Sequence, residues 1–543
     1  MENEMKTTIT IAALAVLATS ASATDKPAPP FANPYLSASH YSVTHGWSDY
    51  SPIAGPMAKS RRLRDDEKIW QPVGPINGFP PTYSGPYPNG KHVIWVGGYD
   101  RVSKLDADTM QPLTTYAIGG NTYFGNEEIR RDIAIMDKVD DKGLVDFDLK
   151  LLEEAWPSTT SAYKFLSRES ELYMPYRAPD GSVIMRVYGE EDHNDPASKI
   201  HLMRQWALPA EISKARIFGM QMSSSGEIVM ATMDGRLIAV ARDFGSYDVL
   251  TLPSSKPERP VTDTFSSFVR NGLSSDDHDG IFVVTRDNMH RAQWTGARLS
   301  LDEADGGWST PYPNENGLGS GTTPGLMGWG SNEDHLVVIG DGSGCIHMIA
   351  FWRDAIPADW KGIEGHDRRI AGDVPIHFGV SKDEQVRLEN APVVYGYGAF
   401  FNNTYPVKHL PKYGGPTLQW MAESLYFHVP GHEARGGTMI RWEPKTRTLV
   451  TAWETQENLL STVCTVSGPN EMLYCGGARK REWTVERIDW NTGKTLATYT
   501  LGKSHRYNPL GGPLVIAPNG AVDCGCLGGL GMVRVMPNDK KSN

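Results

Sequence analysis

Three segments of the chain end in the same short pattern, and this repeat constrains the fold more than any other feature. They close on LDADTMQPLTTYAIG, IDWNTGKTLATYTLG and WEPKTRTLVTAWET, each with an acidic residue, a Thr three positions later and a closing apolar strand. An acidic side chain before such a turn caps backbone amides, and Thr stabilises the same bend. The pattern therefore predicts an outer β-hairpin that recurs along the chain.

Looser copies supply the rest of the unit, with an inner strand, a polar turn containing Gly, and two further strands. Their turns read APDG, SSSG, DDHDG and APNG. Self-similarity at about 40 to 50 residues per four-stranded unit is typical of β-propellers. The composition agrees, since 55 Gly and 37 Pro accompany 15 Trp and 22 Tyr. We therefore predict an all-β fold, a single β-propeller over residues 89–537, with seven blades favoured and eight as the alternative.

Two stretches interrupt the repeat. Residues 126–156 place apolar side chains at helical spacing, which predicts a helix, a turn and a second helix. Residues 402–437 form a long loop insertion within one repeat. Long insertions in a rigid β scaffold tend to cover an opening, so both are candidate lids.

The N-terminal region predicts an exported protein with an extended arm. Residues 1–23 combine Lys6, an apolar run from Ile9 to Leu17 and the small-residue sequence Ala21-Ser22-Ala23, which is typical of a signal peptide. Residues 24–88 are rich in Pro, Gly, Ser and Tyr without periodicity, and predict an arm that wraps around the propeller. The last repeat lacks a fourth strand, which the beginning of the repeat region could supply.

The net charge and the hydropathy of the chain limit the kinds of partner that the protein is expected to bind. The net charge of −11 gives little driving force for binding nucleic acid. No apolar run after the signal peptide is long enough to be an integral membrane segment. We therefore expect a periplasmic or secreted protein whose partner is a small-molecule substrate or ligand.

Export permits disulfide bonds among the five cysteines. A hairpin centred on the turn SGPNE places Cys464 directly opposite Cys475, within disulfide range. We predict that bridge, with free core cysteines as the alternative. Cys524 and Cys526 share one face of a strand, and either could pair with Cys345.

Three Asn residues predict a ring of amides in the channel of the propeller. Asn271, Asn390 and Asn508 each precede an inner strand, and their separations of 119 and 118 residues correspond to two repeats each time. Amide oxygens there suit a cation such as calcium, or they orient a polar ligand. The alternative is that each Asn only caps the start of its own strand. Acidic partners for such a cation could be Glu128, Asp341 or Glu423.

The segment RNGLSSDDHDGIFVVTRD raises the question of a second metal site, because three Asp and His278 stand within four positions. The same positions in sister repeats are turns, so we expect Asp276 to Gly280 to be a turn with His278 exposed. The segment also resembles that of the gluconolactonase and senescence-marker-protein superfamily of β-propellers, which contains calcium-dependent lactonases. The resemblance implies that Asn271 is a calcium ligand.

Three hypotheses for function follow. The first is a hydrolase of a lactone or ester, in which a channel-bound divalent cation polarises a carbonyl and activates water. Asp341, in a Gly-flanked turn, and His428, in the second insertion, are its candidate catalytic residues. The second is a non-catalytic propeller that binds a small molecule or a protein. The third rests on the hairpin DWNTGKTL, which resembles repeats of the quinone-cofactor dehydrogenases.

Overall fold

The computed structural model describes most of the chain. The described residues are 26–37, 48–76, 80–138, 155, 161, 163–253, 267–381, 386–411, 416–460, 462–509, 512–527 and 529–538. The predicted signal peptide, residues 1–23, lies outside them, as do residues 139–154 of the predicted helical insertion. In the described residues strands predominate, and they form eight sheets.

Three strands precede the first complete sheet: β1 (Tyr50–Ser51), β2 (Arg61–Arg62) and β3 (Lys68–Pro72). Sheet 1 contains β4 (Thr82–Tyr83), β5 (Val93–Gly97), β6 (Arg101–Asp106) and β7 (Pro112–Ala117). Sheet 2 contains β8 (Phe165–Leu166), β9 (Leu172–Arg177), β10 (Val183–Glu190) and β11 (Ile200–Ala207). Sheet 3 contains β12 (Ile217–Met222), β13 (Ile228–Thr232), β14 (Arg236–Val240) and β15 (Tyr247–Thr251). Sheet 4 contains β16 (Ser274–Ser275), β17 (Gly280–Val284), β18 (Asn288–Trp294), β19 (Leu299–Ser300) and β20 (Trp308–Pro311).

The second half continues the series. Sheet 5 contains β21 (Gly325–Met327), β22 (Leu336–Gly340), β23 (His347–Trp352) and β24 (Ile370–Pro375). Sheet 6 contains β25 (Val393–Tyr395), β26 (Gly398–Asn402), β27 (Arg435–Glu443) and β28 (Thr448–Asn458). Sheet 7 contains β29 (Thr465–Ser467), β30 (Met472–Arg479), β31 (Glu482–Asp489) and β32 (Thr495–Gly502), with β1 and β2 as its two parallel edge strands. Sheet 8 contains β33 (Leu514–Ile516), β34 (Val522–Cys526) and β35 (Gly531–Val535), with β3 as its fourth strand.

The helical elements are few. The two described α-helices are α1 (Asn126–Met136) and α2 (Pro416–Ser424). Single turns of 3-10 helix occur at Asp65–Glu67, Ala210–Ile212, Glu303–Asp305 and His505–Tyr507. Neither α-helix has the length and apolar character needed to cross a bilayer.

Each sheet contains an antiparallel four-stranded meander with a largely buried first strand, and in most sheets the fourth strand is partly exposed, as β4 and β7 illustrate. This gradient is the pattern of a β-propeller blade, in which the first strand lines the centre. The chain therefore has the β-propeller fold. The described residues form eight sheets, and the number of blades stays a prediction. We call the space bordered by the first strands the channel, and the face where these strands begin the upper face.

Apolar side chains fill the space between consecutive sheets. Val187 of sheet 2 and Met220 of sheet 3 share one such cluster, and similar clusters join each sheet to the next. A further cluster joins sheet 8 to sheet 1 through Met532 and Val96. The core is therefore a series of layers between sheets, which is where the large buried aromatic residues lie.

The N-terminal arm contributes strands to sheets 7, 8 and 1, and β1 enters the channel. Strand β3 pairs antiparallel with β35, so the beginning of the chain supplies the missing fourth strand of the last sheet. Strand β1 pairs parallel with β29 on the channel side of sheet 7, with Tyr50 opposite Val466. Below the sheets, the Asn33 side chain donates to the carbonyls of Met222 and Ser223, both at 3.0 Å.

The capping chemistry of the repeat is observed directly. Oδ1 of Asp106 accepts hydrogen bonds from the backbone N–H of Thr109 at 2.9 Å and from its hydroxyl at 3.0 Å. Oδ1 of Asp489 accepts the equivalent pair from Thr492, both at 2.8 Å. The two turns therefore have one geometry, as the repeat predicts.

The predicted disulfide between Cys464 and Cys475 is confirmed, with 4.4 Å between the two Cα atoms. The pairing of Thr465 with Tyr474 puts the two cysteines opposite each other. Cys345, Cys524 and Cys526 are free thiols, so neither strand cysteine pairs with Cys345. A structural disulfide is typical of proteins that fold in an oxidising compartment.

The two insertions pack against each other above the sheets. Both leave the upper face, because one precedes a first strand and the other joins a second strand to a third. Ile129 and Ile133 of α1 share an apolar cluster with Met421 and Leu425 of the second insertion. The residues between Asn402 and Arg435 include α2, so this insertion is partly helical rather than only a long loop.

Candidate functional site in the channel

The three predicted Asn residues lie at the upper face, just before β16, β25 and β33. Each is buried, and each makes polar contacts that reach beyond its own sheet. Asn271 has the richest set of contacts, and its surroundings define the candidate site. We call the group of Asp49, Tyr163, Asn271 and Thr323 the channel site.

Asn271 ties together four parts of the channel wall. Its Oδ1 accepts hydrogen bonds from the Tyr163 hydroxyl at 2.6 Å, from the Thr323 hydroxyl at 2.9 Å and from the N–H of Gly272 at 2.8 Å. Its Nδ2 donates to the carbonyls of Gly321 and Glu389, both at 2.7 Å. The three donors therefore use both lone pairs of Oδ1. In this arrangement Asn271 has no oxygen lone pair available to bind calcium.

The other two Asn residues also bind backbone carbonyls of neighbouring elements. Nδ2 of Asn390 donates to the carbonyl of Thr462 at 2.9 Å, which joins sheet 6 to sheet 7. Nδ2 of Asn508 donates at 3.3 Å to the carbonyl of Ser424, the last residue of α2. The partners lie outside the strand that each Asn precedes, so these bonds are not local caps of that strand. The three amides are thus structural links at one face.

Asp49 is the most unusual residue of the channel. It precedes β1, its side chain is only 1% exposed, and neither carboxylate oxygen has a hydrogen-bond partner in the described part of the chain. Its backbone carbonyl accepts hydrogen bonds from the N–H of Val466 and the hydroxyl of Thr465, both at 2.9 Å. Its φ of 51° is in the left-handed region, which costs energy for a residue other than Gly.

The chemistry of Asp49 follows from this setting. Burial raises the pKa of its carboxyl well above the usual range, because the ionised form loses its hydration. Burial also raises the pKa of Tyr163, and the negative charge of Asp49 adds to that effect. A buried acid without a partner is costly and is typical of positions kept for a ligand.

Lys164, next to Tyr163, is a second buried ionisable group at the upper face. Its side chain is 1% exposed or less, and burial lowers its pKa to about 7. A lysine with such a pKa can exchange protons at neutral pH. It lies at the start of β8, so it borders the channel from sheet 2.

The predicted catalytic residues lie elsewhere on the upper face. Asp341 is in the turn between β22 and β23, where it accepts hydrogen bonds from the Ser343 hydroxyl at 2.5 Å and the N–H of His347 at 2.8 Å. Burial raises the pKa of Asp341. The His428 ring stacks on Trp483 at 4.5 Å between centroids and meets the edge of His505 at 5.2 Å.

The other acidic candidates also lie apart from the channel site. Oε1 of Glu423 contacts Nδ1 of His409 at 2.9 Å within the second insertion. Glu128 is on the exposed side of α1, 3.6 Å from Arg131. Within the described residues, no group of three or more His, Cys, Asp and Glu side chains is arranged to hold a metal. The predictions that Asp341 and His428 act in catalysis and that calcium binds stay predictions.

The DDHDG segment is a turn, as the sister repeats indicate. Oδ1 of Asp276 accepts hydrogen bonds from the N–H of His278 at 2.9 Å and the N–H of Gly280 at 2.7 Å. Oδ1 of Asp279 accepts from the Ser224 hydroxyl at 2.7 Å, which links sheet 4 to the turn of sheet 3. The His278 side chain is exposed. The turn lies on the lower face, because it joins a first strand to a second.

Comparison with known proteins adds no assigned activity. No protein-family model matches the sequence. An uncharacterized protein of Archaeoglobus fulgidus is 29% identical over 514 residues, which cover 93% of this chain and 89% of that protein. The similarity spans nearly the full length of both chains.

Several solved structures share a distant likeness. BamB of Moraxella catarrhalis matches with a TM-score of 0.37 at 11% identity, over 69% of this chain and 96% of that one. A streptogramin B lyase matches with a TM-score of 0.35 at 8% identity, over 86% and 97% of the two chains. Virginiamycin B lyase of Staphylococcus aureus matches with a TM-score of 0.34 at 9% identity, over 87% and 100%. The fold assignment rests on the eight sheets themselves.

Proposed function

We propose that this protein is an exported eight-bladed β-propeller, closed between sheet 8 and sheet 1, that binds a small molecule at the channel site. The observation that carries the proposal is the buried carboxyl of Asp49, for which the described residues provide no hydrogen-bond partner. A group of that kind costs free energy unless a ligand satisfies it. The two insertions lie on the same face and would control access to it.

The ligand is best described by the hydrogen bonds that the site can still form. The amide of Asn271 and the hydroxyls of Tyr163 and Thr323 are already committed to one another. Asp49 therefore offers the free polar atoms, and a ligand with a hydrogen-bond donor or a positive charge complements them. The net charge of −11 also favours approach of cationic rather than anionic molecules.

A crystallographic fragment screen tests this proposal. We expect fragments with N–H or O–H donors to occupy the space beside the Asp49 carboxyl, in contact with it. Fragments that bind only on the outer strands or on the lower face would contradict a channel site.

The hydrolysis of a lactone or ester is our second candidate, and Asp49 is also the observation that favours it. A divalent cation in the channel needs a carboxylate, which the three amides do not provide. Calcium calorimetry and hydrolysis of phenyl acetate and γ-butyrolactone, with and without a chelator, test this candidate. Hydrolysis that chelation abolishes in the native protein, and that Asp49→Asn lacks, is the expected result. Rates equal to those of the buffer would exclude it.

A further inference from the structure

Two free thiols stand side by side in sheet 8, away from the channel site. Cys524 and Cys526 are separated by one residue of β34, so their side chains lie on the same face of the strand. Both are buried, and both remain thiols in a chain that forms the Cys464–Cys475 disulfide.

Both sulfur atoms lie beside backbone carbonyls of the same short segment. The Cys526 thiol donates to the carbonyl of Cys524 at 3.8 Å, and the Cys524 thiol donates to the carbonyl of Gly525 at 3.1 Å. Thiols are weak donors, so these bonds cost little to replace.

The surroundings select the kind of ion that such a pair could bind. Thiolate sulfur is a soft ligand that prefers ions such as Cu(I). In the described part of the chain no third His, Cys, Asp or Glu completes a cluster with this pair. A tetrahedral zinc site needs four ligands, so two sulfurs alone do not make one. A monovalent soft ion that accepts two ligands fits the pair better.

We propose that Cys524 and Cys526 form a binding site for one monovalent soft metal ion, with Cu(I) as the chemical class. Each thiol gives up its proton to the solvent, and the ion then bridges the two thiolate sulfurs. The ion keeps its oxidation state, so no oxidant or reductant is consumed. Because protons are released, binding strengthens as the pH rises.

The pair lies close to the upper face. Cys526 is the last residue of β34, and the turn that follows begins at Leu527. Leu527 and Leu530 pack in the apolar cluster that holds α1 and the second insertion. An ion at the pair therefore lies directly beneath the two insertions, in an apolar setting that excludes competing water.

A competition titration with a Cu(I) chelator tests the site. Native protein and Cys345→Ser are each expected to withdraw one equivalent of Cu(I) from bicinchoninate. Cys524→Ser and Cys526→Ser are each expected to bind at least 100-fold more weakly. Cys345 is an exposed free thiol, so its variant is a matched control for a surface sulfur. An unchanged stoichiometry in Cys524→Ser or Cys526→Ser, or no uptake by the native protein, would overturn the proposal.

If the variant of a buried cysteine does not fold, X-ray absorption of the copper-loaded Cys345→Ser protein still tests the site. We expect a first shell of two sulfur atoms. A shell of nitrogen and oxygen atoms, or of more than two sulfurs, would also overturn the proposal. The site is independent of the channel ligand, because neither cysteine contributes to the channel site.

Discussion

The hydroxyl of Tyr163 donates a 2.6 Å hydrogen bond to Oδ1 of Asn271 and so joins sheet 2 to sheet 4 without passing through sheet 3. The two residues precede β8 and β16, at the beginning of the first strands. A direct bond between non-neighbouring sheets is feasible only where the sheets converge. The bond therefore marks the upper mouth of the channel and fixes one part of its wall.

Removal of this bond is expected to cost modest stability. Tyr163→Phe leaves Asn271 with its donors from Thr323 and Gly272, so we expect a loss of about 1 kcal/mol in the free energy of unfolding. Asn271→Ala removes every hydrogen bond of this side chain and leaves two buried backbone carbonyls without a donor. We therefore expect a loss of about 3 kcal/mol or more in the free energy of unfolding. Urea unfolding measures both, with the exposed Tyr247→Phe as control. Equal values for Tyr163→Phe and Tyr247→Phe would refute the role of the bond.

The carboxyl of Asp49 predicts a pH dependence with a definite sign. Its pKa is raised in the folded state, so the folded protein holds a proton that the unfolded chain has already released. The stabilisation that this carboxyl contributes is greatest below its pKa in the unfolded chain, about 3.9. It is lost as the pH rises from that value through the pKa of the carboxyl in the folded protein. Within that window the loss is about 1.4 kcal/mol per pH unit.

Asp49→Asn removes the titrating group, so its unfolding free energy is expected to exceed that of the native protein increasingly as the pH rises above about 4. Urea unfolding from pH 4 to pH 8 measures the difference. Asp180→Asn, which removes an exposed carboxylate from a turn of the same face, controls for net charge. Parallel curves for the native protein and Asp49→Asn would show that Asp49 does not titrate abnormally.

The Cys464–Cys475 disulfide closes a loop with a sequence separation of 11. A bridge of this size is expected to contribute about 3 kcal/mol by restricting the unfolded chain. The Cys464→Ala/Cys475→Ala double variant should lose that amount in urea unfolding. Thiol titration of the denatured protein should give three free thiols before reduction and five after it. Five thiols before reduction would contradict the bridge.

The contact between sheet 8 and sheet 1 depends on a buried ion pair. Nη2 of Arg534 donates to Oδ2 of Asp523 at 2.6 Å, and its Nη1 donates to the carbonyl of Ala107 in sheet 1. Arg534→Met leaves Asp523 buried without its counter-charge, which is expected to cost about 3 to 5 kcal/mol.

Hydrogen exchange and urea unfolding of Arg534→Met check this expectation, with faster exchange predicted in both β5 and β34. The control is Arg298→Met, because Arg298 forms an exposed pair with Asp305 at 2.8 Å that should be worth at most about 1 kcal/mol. An equal cost for the two variants would argue against closure between sheet 8 and sheet 1.

The features that the sequence predicts well are those that depend on interactions between residues close together in the chain. The turns at Asp106 and Asp489 depend on side-chain bonds within three residues, and the disulfide depends on the register of one hairpin. The number of repeats is harder to read, because sheet 8 takes its fourth strand from the arm. The three Asn residues are correctly placed at one face, but spacing alone does not show which backbone carbonyls they bind.

No local sequence pattern marks Asp49 as a candidate site residue. It stands in an arm without periodicity, and its environment depends on the pairing of Tyr50 with Val466, which are 416 residues apart. Only the path of the arm into the channel makes this carboxyl buried. Long-range pairing of this kind has no counterpart in local composition or turn chemistry.

Paired fragment screens on crystals of the native protein and of Asp49→Asn test the channel site most directly. We predict that fragments with a protonated amine contact the carboxyl of residue 49 in the native protein and are absent from the channel of Asp49→Asn, while neutral fragments bind both proteins alike. The same amine fragments at the same position in both crystals, or none in either channel, would contradict a role for Asp49 in ligand binding.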